Sequence, residues 1–336
     1  MHVSLPSRFV LLATAAVAAL TVAAHSLAAG TAKAALGTGV VDVTTNLGYQ
    51  NASAAGTGMV LTATGEILTN NHVIRGATTI RVIDPSSGRS YGATVLGYSV
   101  TNDVAVLQLT AASHLRTVTL GAAAVKIGQR VTAVGNAGGA NGKPIAAAGK
   151  VTGLGRSIVA SDGNGISEQL VSLIRIDAAL QPGDSGGPLL NAAGRVIGMD
   201  TAASVGFEFQ STHEGYAIPI GRALAIAKQI TMGHASATIH IGSTPFLGLS
   251  LASTSAGQAT NGLVVTNVVS GSPADQAGIV AGDTLTGIDG QPVASYTTLS
   301  SLLLLHNAGD TVTVEWTDQT GTAQTATVQT AVGPPQ

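Results

Sequence analysis

The ten residues from Leu180 to Leu189 constrain this chain more than any other part of its sequence. They read LQPGDSGGPL, so Ser185 lies among glycines with a proline on either side. Glycine tolerates backbone angles that other residues avoid, and it lets a substrate backbone approach closely. Such a turn can aim the N–H groups of Gly183 and Ser185 at one point, as an oxyanion hole requires. Because a serine hydroxyl reacts only when a base removes its proton, this interpretation needs a histidine and a carboxylate elsewhere.

The same letters also fit the G-x-S-x-G nucleophile elbow, which requires a strand before the serine and a helix directly after it. Here Pro188–Asn191 and Arg195–Met199 read as two strands joined by a small turn. Asp200 and His213 follow the serine in the order that an elbow needs, but no alternation of strands and helices surrounds the site. The flanking sequence therefore disfavours the elbow.

Two upstream segments supply a base and an acid. His72 follows an apolar segment in the string TNNHVI, where a strand end and a short turn can hold its ring rigidly. Asp103 opens the apolar strand VAVLQL and can be buried behind the imidazole, fixing its tautomer and stabilising its cation. The order His72, Asp103, Ser185 is that of the chymotrypsin class. Asp42 could begin the subtilisin order, but that class places its serine at a helix start. Each residue has an ordinary interpretation alone, and their conjunction predicts a catalytic triad.

Composition narrows the possible partners. A chain of 336 residues has room for about two domains. A formal net charge of -2, with only 10% charged residues and no basic patch, disfavours nucleic acid as a partner. The chain has no cysteine, which excludes disulfides, a cysteine nucleophile and thiolate metal sites. His234 and His240 read as solvated side chains in a polar segment, so neither a metal nor a cofactor is predicted.

The N-terminal residues 1–35 read as a signal peptide or membrane anchor with a short linker. A 16-residue apolar block, Phe9–Ala24, is long for a signal-peptide core and short for a spanning helix. Ser26-Leu27-Ala28 offers a small-x-small cleavage site. We therefore expect export, with a single-pass anchor as the alternative if cleavage fails, and in both cases a catalytic part outside the cytoplasm.

The remainder divides into two units with a linker between them. Residues 36–232 contain short alternating segments separated by turn residues, which predicts a mainly β barrel architecture with one helix, Ile220–Met232. Residues 136–148 and 201–215 read as surface loops, and residues 233–244 as a polar linker. A second unit of strands and two short helices spans residues 245–331. Residues 332–336 are predicted to be a disordered tail.

The strings TNNHVI, TNDVAVLQL, DAALQPGDSGGPLL and GYAIPI resemble the HtrA/Deg family of trypsin-fold serine proteases. The second unit, from TPFLGLSL through GLVVTNVVSGSPADQAGIVAGDTLTGIDGQPV, resembles the PDZ domain of that family. The resemblance implies a chymotrypsin/trypsin-like double β-barrel, with the active site between two six-stranded barrels, followed by an α+β PDZ domain. It also implies ATP-independent proteolysis of misfolded or specific proteins outside the cytoplasm, and a homotrimer. Gly183 and Ser185 match the family's oxyanion donors.

One departure from the family concerns Asp184, where asparagine is usual. We consider two hypotheses for this carboxylate: it meets a cation, such as Arg156 or Arg175, or it faces solvent.

Specificity is indicated by Ala179, six residues before the serine, where trypsin-like enzymes seat a pocket aspartate. An alanine there favours an apolar pocket and cleavage after small aliphatic residues, as the family resemblance also implies. Asp177 or Asp200 could still reach the pocket and invert this preference, so Asp200 is included among the candidate pocket residues.

The second unit predicts peptide binding. PDZ-like domains add an extended peptide to a sheet edge and hold its terminal carboxylate on backbone N–H groups. The matching loop here is Phe246-Leu247-Gly248-Leu249. The facing wall would be a helix with Leu299, Leu302 and Leu303, although these leucines could instead fill the domain core. An apolar wall predicts a preference for apolar C-terminal residues.

These patterns together predict an exported serine endopeptidase that acts on unfolded or extended polypeptides and binds peptide C-termini. The alternative is a chaperone-like or scaffolding protein that acts mainly through peptide binding, with little proteolysis.

Overall fold

The computed structural model describes residues 36–136, 143–161, 167–201, 214–252 and 262–336. The predicted signal or anchor segment, residues 1–35, lies outside the described residues, as do residues 137–142 and 202–213 of the two predicted surface loops. The first loop prediction, residues 136–148, was too long, because residues 145–148 belong to a strand that pairs with residues 132–135. Within the described part, no helix is long and apolar enough to cross a membrane.

The first barrel contains six antiparallel strands. They are β1 (Val40–Leu47), β2 (Ala52–Val60), β3 (Glu66–Thr69), β4 (Thr79–Asp84), β5 (Arg89–Ser99) and β6 (Val104–Leu109). The strand order is β5-β4-β1-β2-β3-β6, and pairing of β5 with β6 closes the ring. A 3₁₀ turn, Gly48–Gln50, follows β1, and a four-residue helix α1, Asn71–Ile74, follows β3. Alternate apolar residues fill the interior, because successive side chains of a strand point to opposite faces.

The second barrel is also a closed ring of six strands. They are β7 (Arg130–Gly135), β8 (Ile145–Ser161), β9 (Ser167–Ile176), β10 (Pro188–Asn191), β11 (Val196–Thr201) and β12 (Gly215–Pro219). Their order is β10-β11-β12-β9-β8-β7. Strand β10 begins three residues after Ser185, as the strand-turn-strand interpretation predicts.

Helix α2 (Ile220–Thr231) packs its apolar face into a core that both barrels share. Ile226 and Ile230 on this face are 7% and 2% exposed. Residues from the first barrel, such as Leu68, and from the second, such as Met199, belong to the same cluster. The helix therefore holds the two barrels together.

The predicted linker is more structured than its composition suggests. Strand β13 (His240–Ile241) pairs with β5 and extends the first barrel's sheet. His240 is only 6% exposed, and its Nε2 lies 3.1 Å from the Ser243 carbonyl oxygen, so its prediction as a solvated side chain was wrong. A strand of two residues is too short to show an alternating pattern in the sequence. It forms here because it pairs with the edge of β5.

The C-terminal unit is an α+β domain. Its elements are β14 (Thr244–Phe246), β15 (Leu249–Ala252), β16 (Leu263–Val268), α3 (Pro273–Gln276), β17 (Thr284–Ile288), β18 (Gln291–Pro292), α4 (Tyr296–Leu303), β19 (Thr311–Thr317), β20 (Ala323–Gln329) and β21 (Ala331–Gly333). The main sheet has the order β15-β16-β17-β19-β20, with β18 paired to β17. Ser295 caps α4 by accepting a hydrogen bond from the Thr298 amide at 3.1 Å. The unit has its own apolar core.

The final residues are ordered, contrary to the prediction of a disordered tail. Strand β21 pairs with β14 in antiparallel register, with Thr244 opposite Gly333. Pro335 is buried, and its carbonyl accepts a hydrogen bond from the Gly76 amide at 2.8 Å. Small residues and prolines carry no propensity signal for order, and here their order comes from backbone hydrogen bonds to distant segments.

Candidate active site

His72 is the second residue of α1 and is held by Asp103 at two points. Its Nδ1 lies 2.9 Å from Asp103 Oδ2 and 3.0 Å from Oδ1. The backbone N–H of His72 also donates to Oδ1, at 3.0 Å. The imidazole is 20% exposed and the carboxylate 2%. The buried Asp103 carboxylate therefore fixes the backbone position of His72 and holds the Nδ1 edge of its ring.

Asp103 has its own supporting contacts. It adopts the left-handed backbone conformation, with φ of 52°, which aspartate tolerates better than most residues. The Asn70 side-chain amide donates to the Asp103 carbonyl at 2.9 Å, and the Thr201 hydroxyl donates to Oδ2 at 3.1 Å. Sequence analysis did not assign either neighbour to the site. Asn70 stands in the string around His72, whereas nothing in the sequence distinguishes Thr201.

The loop that carries Ser185 is clamped on both sides by backbone hydrogen bonds. The Gly186 amide donates to the Asp200 carbonyl at 2.9 Å, and the Asp200 amide donates to Gly187 at 2.8 Å. On the other side, the Thr57 amide donates to the Ser185 carbonyl at 2.8 Å. Ser185 itself is 5% exposed. These bonds tie the serine loop to β11 in one barrel and to β2 in the other.

Gly186 permits this close approach. Its φ is +86°, and a Cβ built on it would lie 2.0 Å from the Thr57 carbonyl oxygen and 2.4 Å from Thr69 Oγ1. Both conditions exclude a larger residue. The loop can therefore press against the end of β3, three residues before His72.

The three predicted triad residues belong to one connected region. Thr201 bonds to Asp103, and the residue before it accepts the Gly186 amide. A Cβ on Gly56 would lie 2.7 Å from a methyl of Val73, the neighbour of His72, and 3.2 Å from the Ser185 carbonyl oxygen. The histidine helix and the serine loop thus share contacts across the junction of the two barrels.

Gly183 is held in a conformation that needs glycine. Its φ is +103°, and its carbonyl oxygen accepts a hydrogen bond of 2.6 Å from the Thr57 hydroxyl. The same hydroxyl accepts a hydrogen bond from the backbone N–H of Asn136 at 2.9 Å. Thr57 lies within β2 without any recognisable motif, so sequence reasoning missed it. The result is a serine turn whose preceding peptide is fixed before any substrate binds.

Asp184 follows neither of the two hypotheses. It is 5% exposed, and its Oδ2 accepts a hydrogen bond from the backbone N–H of Gln181, at 2.9 Å, within its own turn. Arg175 instead contacts Glu214 at 3.3 Å, and Arg156 is exposed beside Gly153. Burial raises the pKa of Asp184 above its ordinary value. The carboxylate therefore closes its own turn through one of its oxygens.

The candidate pocket residues separate in the structure. Ala179 is exposed. Asp200 is fully buried, and neither of its carboxylate oxygens has a hydrogen-bond partner among the described residues. Burial, and then the nearby Asp184 carboxylate, raise the pKa of Asp200 well above its ordinary value. Asp200 thus presents no carboxylate to a substrate, and Asp177 is bonded to the Lys150 amide.

The predicted peptide-binding loop connects β14 to β15. Leu247 is 3% exposed and packs in the core of the C-terminal unit. The Leu247 carbonyl accepts the Ala274 amide at 2.9 Å, and the Gly248 carbonyl accepts the Val269 amide at 2.8 Å. Both carbonyls therefore turn inward. Phe246, half-buried, stacks on Tyr49 with ring centroids 5.1 Å apart.

The leucines of α4 divide between the two predicted roles. Leu299 and Leu303 are buried in the core of the unit at 8% and 4% exposure. Leu302 is only partly buried. Of the three leucines predicted to form the groove wall, only Leu302 is therefore partly accessible to a peptide. Among the described residues, no group of three histidine or acidic side chains could hold a metal ion.

The sequence matches two domain families. The trypsin-like peptidase domain matches residues 56–199, and the PDZ domain matches residues 245–330. The chain is 34% identical over 256 residues to a putative serine protease HhoA of Synechocystis, covering 71% of this chain and 61% of that protein. It is 33% identical over 284 residues to a serine protease Do-like HtrA of Lactococcus lactis, covering 79% and 67%. It is also 32% identical over 257 residues to the periplasmic serine endoprotease DegP of Salmonella typhimurium, covering 74% and 51%.

Solved structures give a consistent result. The HtrA-type protease AlgW with tripeptide aligns with 90% of this chain and 96% of its own, at 27% identity and a TM-score of 0.50. The chain spans about three fifths of the length of several curated relatives that it matches.

Proposed function

We propose, from the premise that this chain belongs to the HtrA family of trypsin-like serine proteases, that it is an exported, ATP-independent serine endopeptidase. The observation that carries this proposal is the His72 ring bonded at 2.9 Å to a buried Asp103, beside the clamped loop of Ser185. An imidazole that is 20% exposed, with one ring nitrogen held by a buried acid, has the arrangement that a general base requires.

In the proposed reaction, the Ser185 hydroxyl attacks the scissile carbonyl carbon while His72 Nε2 takes the hydroxyl proton. The tetrahedral intermediate collapses to an acyl-enzyme when the histidine returns that proton to the leaving amine. A water molecule, activated by the same nitrogen, then releases the new carboxyl end. Asp103 accepts from Nδ1–H throughout, which keeps the reactive tautomer and stabilises the imidazolium cation.

The N–H groups of Gly183 and Ser185 are the proposed oxyanion donors. Two features support this role: the positive φ of Gly183, and the anchoring of its carbonyl on Thr57. A donor that is already oriented stabilises developing charge without reorganisation at the moment of reaction. The Thr57 hydroxyl therefore acts indirectly, by holding the peptide plane.

The proposed substrates are extended or misfolded polypeptides, cleaved after small aliphatic residues. Support comes from the exposed Ala179 and from the burial of Asp200, which withdraws that carboxylate from any basic side chain of a substrate. The C-terminal unit would bind peptide C-termini through the loop Phe246–Leu249, with a preference for apolar ends because Leu302 faces partly outward.

Export is proposed from residues 1–35, whose apolar block and small-residue site are typical of a signal peptide. The name of the periplasmic relative DegP is consistent with this location. A single-pass anchor and a homotrimer remain further proposals that rest on the sequence pattern and the family resemblance, respectively.

The test of the proposed function is covalent labelling of Ser185. A fluorophosphonate should label the purified protein at this residue, and casein should be degraded. Ser185→Ala should abolish labelling and lower turnover by ~10⁴-fold or more. Ser53→Ala, at an exposed serine of β2, is the matched control and should behave as wild type. An unlabelled protein that still binds peptide C-termini would favour the scaffolding alternative.

A further inference from the structure

The short helix that carries His72 is bonded at both ends to the last two residues of the chain. At its start, the Asn71 side chain, which is fully buried, donates to the Gln336 carbonyl at 2.9 Å. Just past its end, the Gly76 amide donates to the Pro335 carbonyl at 2.8 Å. A four-residue helix has few internal bonds of its own, so external bonds decide how rigidly it is held.

Tyr98 holds the same tail from a second direction. Its hydroxyl accepts a hydrogen bond from the Gln336 amide at 3.3 Å and lies 2.9 Å from the Thr244 hydroxyl in β14. Burial is the main cause that raises the pKa of Tyr98, to about 12, so the hydroxyl stays neutral and can bond to both groups. The ring is fully buried.

The tail is in turn paired with the C-terminal unit. Strand β21 lies antiparallel to β14, with Ala331 opposite Phe246, the first residue of the predicted peptide-binding loop. Phe246 also stacks on Tyr49 of the first barrel. The peptide-binding loop is thus joined to the final residues by the pairing of β14 with β21, and the final residues are hydrogen-bonded to the α1 region.

We propose that Pro335 and Gln336 are positioning residues for His72, acting as a strap that ties the catalytic helix to the peptide-binding unit. Neither residue touches the reacting atoms. Each offers a backbone oxygen that limits movement of α1, and so limits how often the imidazole leaves its position against Asp103. This inference rests on the proposed function, since positioning matters to catalysis only if His72 is the base.

The test compares deletion of Pro335 and Gln336 with Asn71→Ala and with the double variant, using hydrolysis of a short chromogenic peptide. Deletion and Asn71→Ala should each lower kcat by about 5- to 50-fold, with KM within about twofold of wild type. The double variant should be little worse than the deletion, because the Asn71–Gln336 bond is already lost. Val332→Ala, at a residue 71% exposed on β21, is the matched control and should keep the wild-type kcat.

A second readout separates this proposal from the proposed function. Amide hydrogen exchange of residues 71–76 should be faster in the deletion variant than in wild type and Val332→Ala, even in a protein that does not react with fluorophosphonate. If the deletion variant fails to fold, Tyr98→Phe keeps the ring, removes one bond to the tail, and should show a smaller loss of kcat with faster exchange. Unchanged exchange together with wild-type kcat, or strictly additive losses in the double variant, would overturn the proposal.

Discussion

At the residue scale, Thr201 is the least conspicuous part of the site in the sequence and one of the most consequential in the structure. Its hydroxyl donates to Asp103 Oδ2, so this oxygen has a donor besides the His72 ring. A buried carboxylate that loses a donor is left with an unsatisfied oxygen, and its orientation loosens.

We therefore expect Thr201→Val to lower kcat/KM by about 10- to 100-fold, equivalent to about 1–3 kcal/mol for the loss of a hydrogen bond to a charged group. Thr201→Ser keeps the hydroxyl and should stay close to wild type. Steady-state kinetics on a peptide substrate measure both. Equal activity of the valine and serine variants would show that this bond does not support Asp103.

Asp200 gives a prediction about pH. Its raised pKa means that the folded protein binds this proton more tightly than the unfolded chain does. The free energy of unfolding therefore falls as pH rises from about 4 towards the folded-state pKa. Below pH 4 both states are protonated, and this effect is fully present as stabilisation.

Replacing Asp200 with asparagine removes the charge while keeping the shape. Asp200→Asn should raise the free energy of unfolding at pH 8 and flatten its decline between pH 4 and pH 8, as measured by urea denaturation across this range. Asp184 titrates in the same direction, so some decline should remain. A variant less stable than wild type at pH 8 would contradict this account.

At the element scale, the loop between β14 and β15 depends on one glycine. Gly248 has a φ of +85°, and a Cβ on it would lie 2.2 Å from Ser272 Cβ. Gly271, in the same unit, has a φ of +76° but nothing within 4 Å of an added Cβ. A side chain at either position would meet the same unfavourable positive φ, but only at Gly248 would its Cβ also clash with a neighbour.

This pair supports a matched test. Gly271→Ala should cost about 1–2 kcal/mol from backbone strain alone. Gly248→Ala should cost about 2–5 kcal/mol, because overpacking adds to the strain, and it should weaken peptide binding by moving the loop. Chemical denaturation and titration with C-terminal peptides measure the two effects. Equal costs would mean that Ser272 yields without resistance.

At the scale of the whole molecule, α2 sets the relation between the barrels. Ile230 is 2% exposed, and its side chain lies 2.9 Å from where a Cβ on Gly97 of β5 would stand. The same helix face packs among residues of the second barrel. Since the candidate site draws His72 and Asp103 from one barrel and Ser185 from the other, packing along α2 bears on its geometry.

Ile230→Ala should destabilise the protein by about 2–5 kcal/mol through the cavity left in the shared core. Gln229→Ala, on the exposed face of the same helix, should change stability by less than about 0.5 kcal/mol. Thermal unfolding and peptide hydrolysis compare the two. Loss of stability without loss of activity below the unfolding temperature would show that α2 supports the fold but does not align the site.

The sequence by itself determined the local features of this protein. Strands β6 and β10 have the predicted bounds, because alternation and turn residues act over a few neighbours. The mainly β fold class is confirmed, and the contact between His72 and Asp103 agrees with the triad prediction, whose catalytic role stays a proposal. The sequence around His72 and Asp103 predicts this contact because each residue lies where a strand meets a turn, and that local geometry depends on neighbouring residues alone.

Only the tertiary structure decided what depends on segments far apart in the chain. Thr201 meets Asp103 across 98 residues, and Gln336 meets Asn71 across 265. The burial of Asp200, the closing of its own turn by Asp184, and the order of the final residues were all missed or predicted otherwise. The physical reason is that a hydroxyl, a carboxylate or a carbonyl in sequence has no preferred partner. Its partner is set by which strands the closed barrels and the shared core bring together.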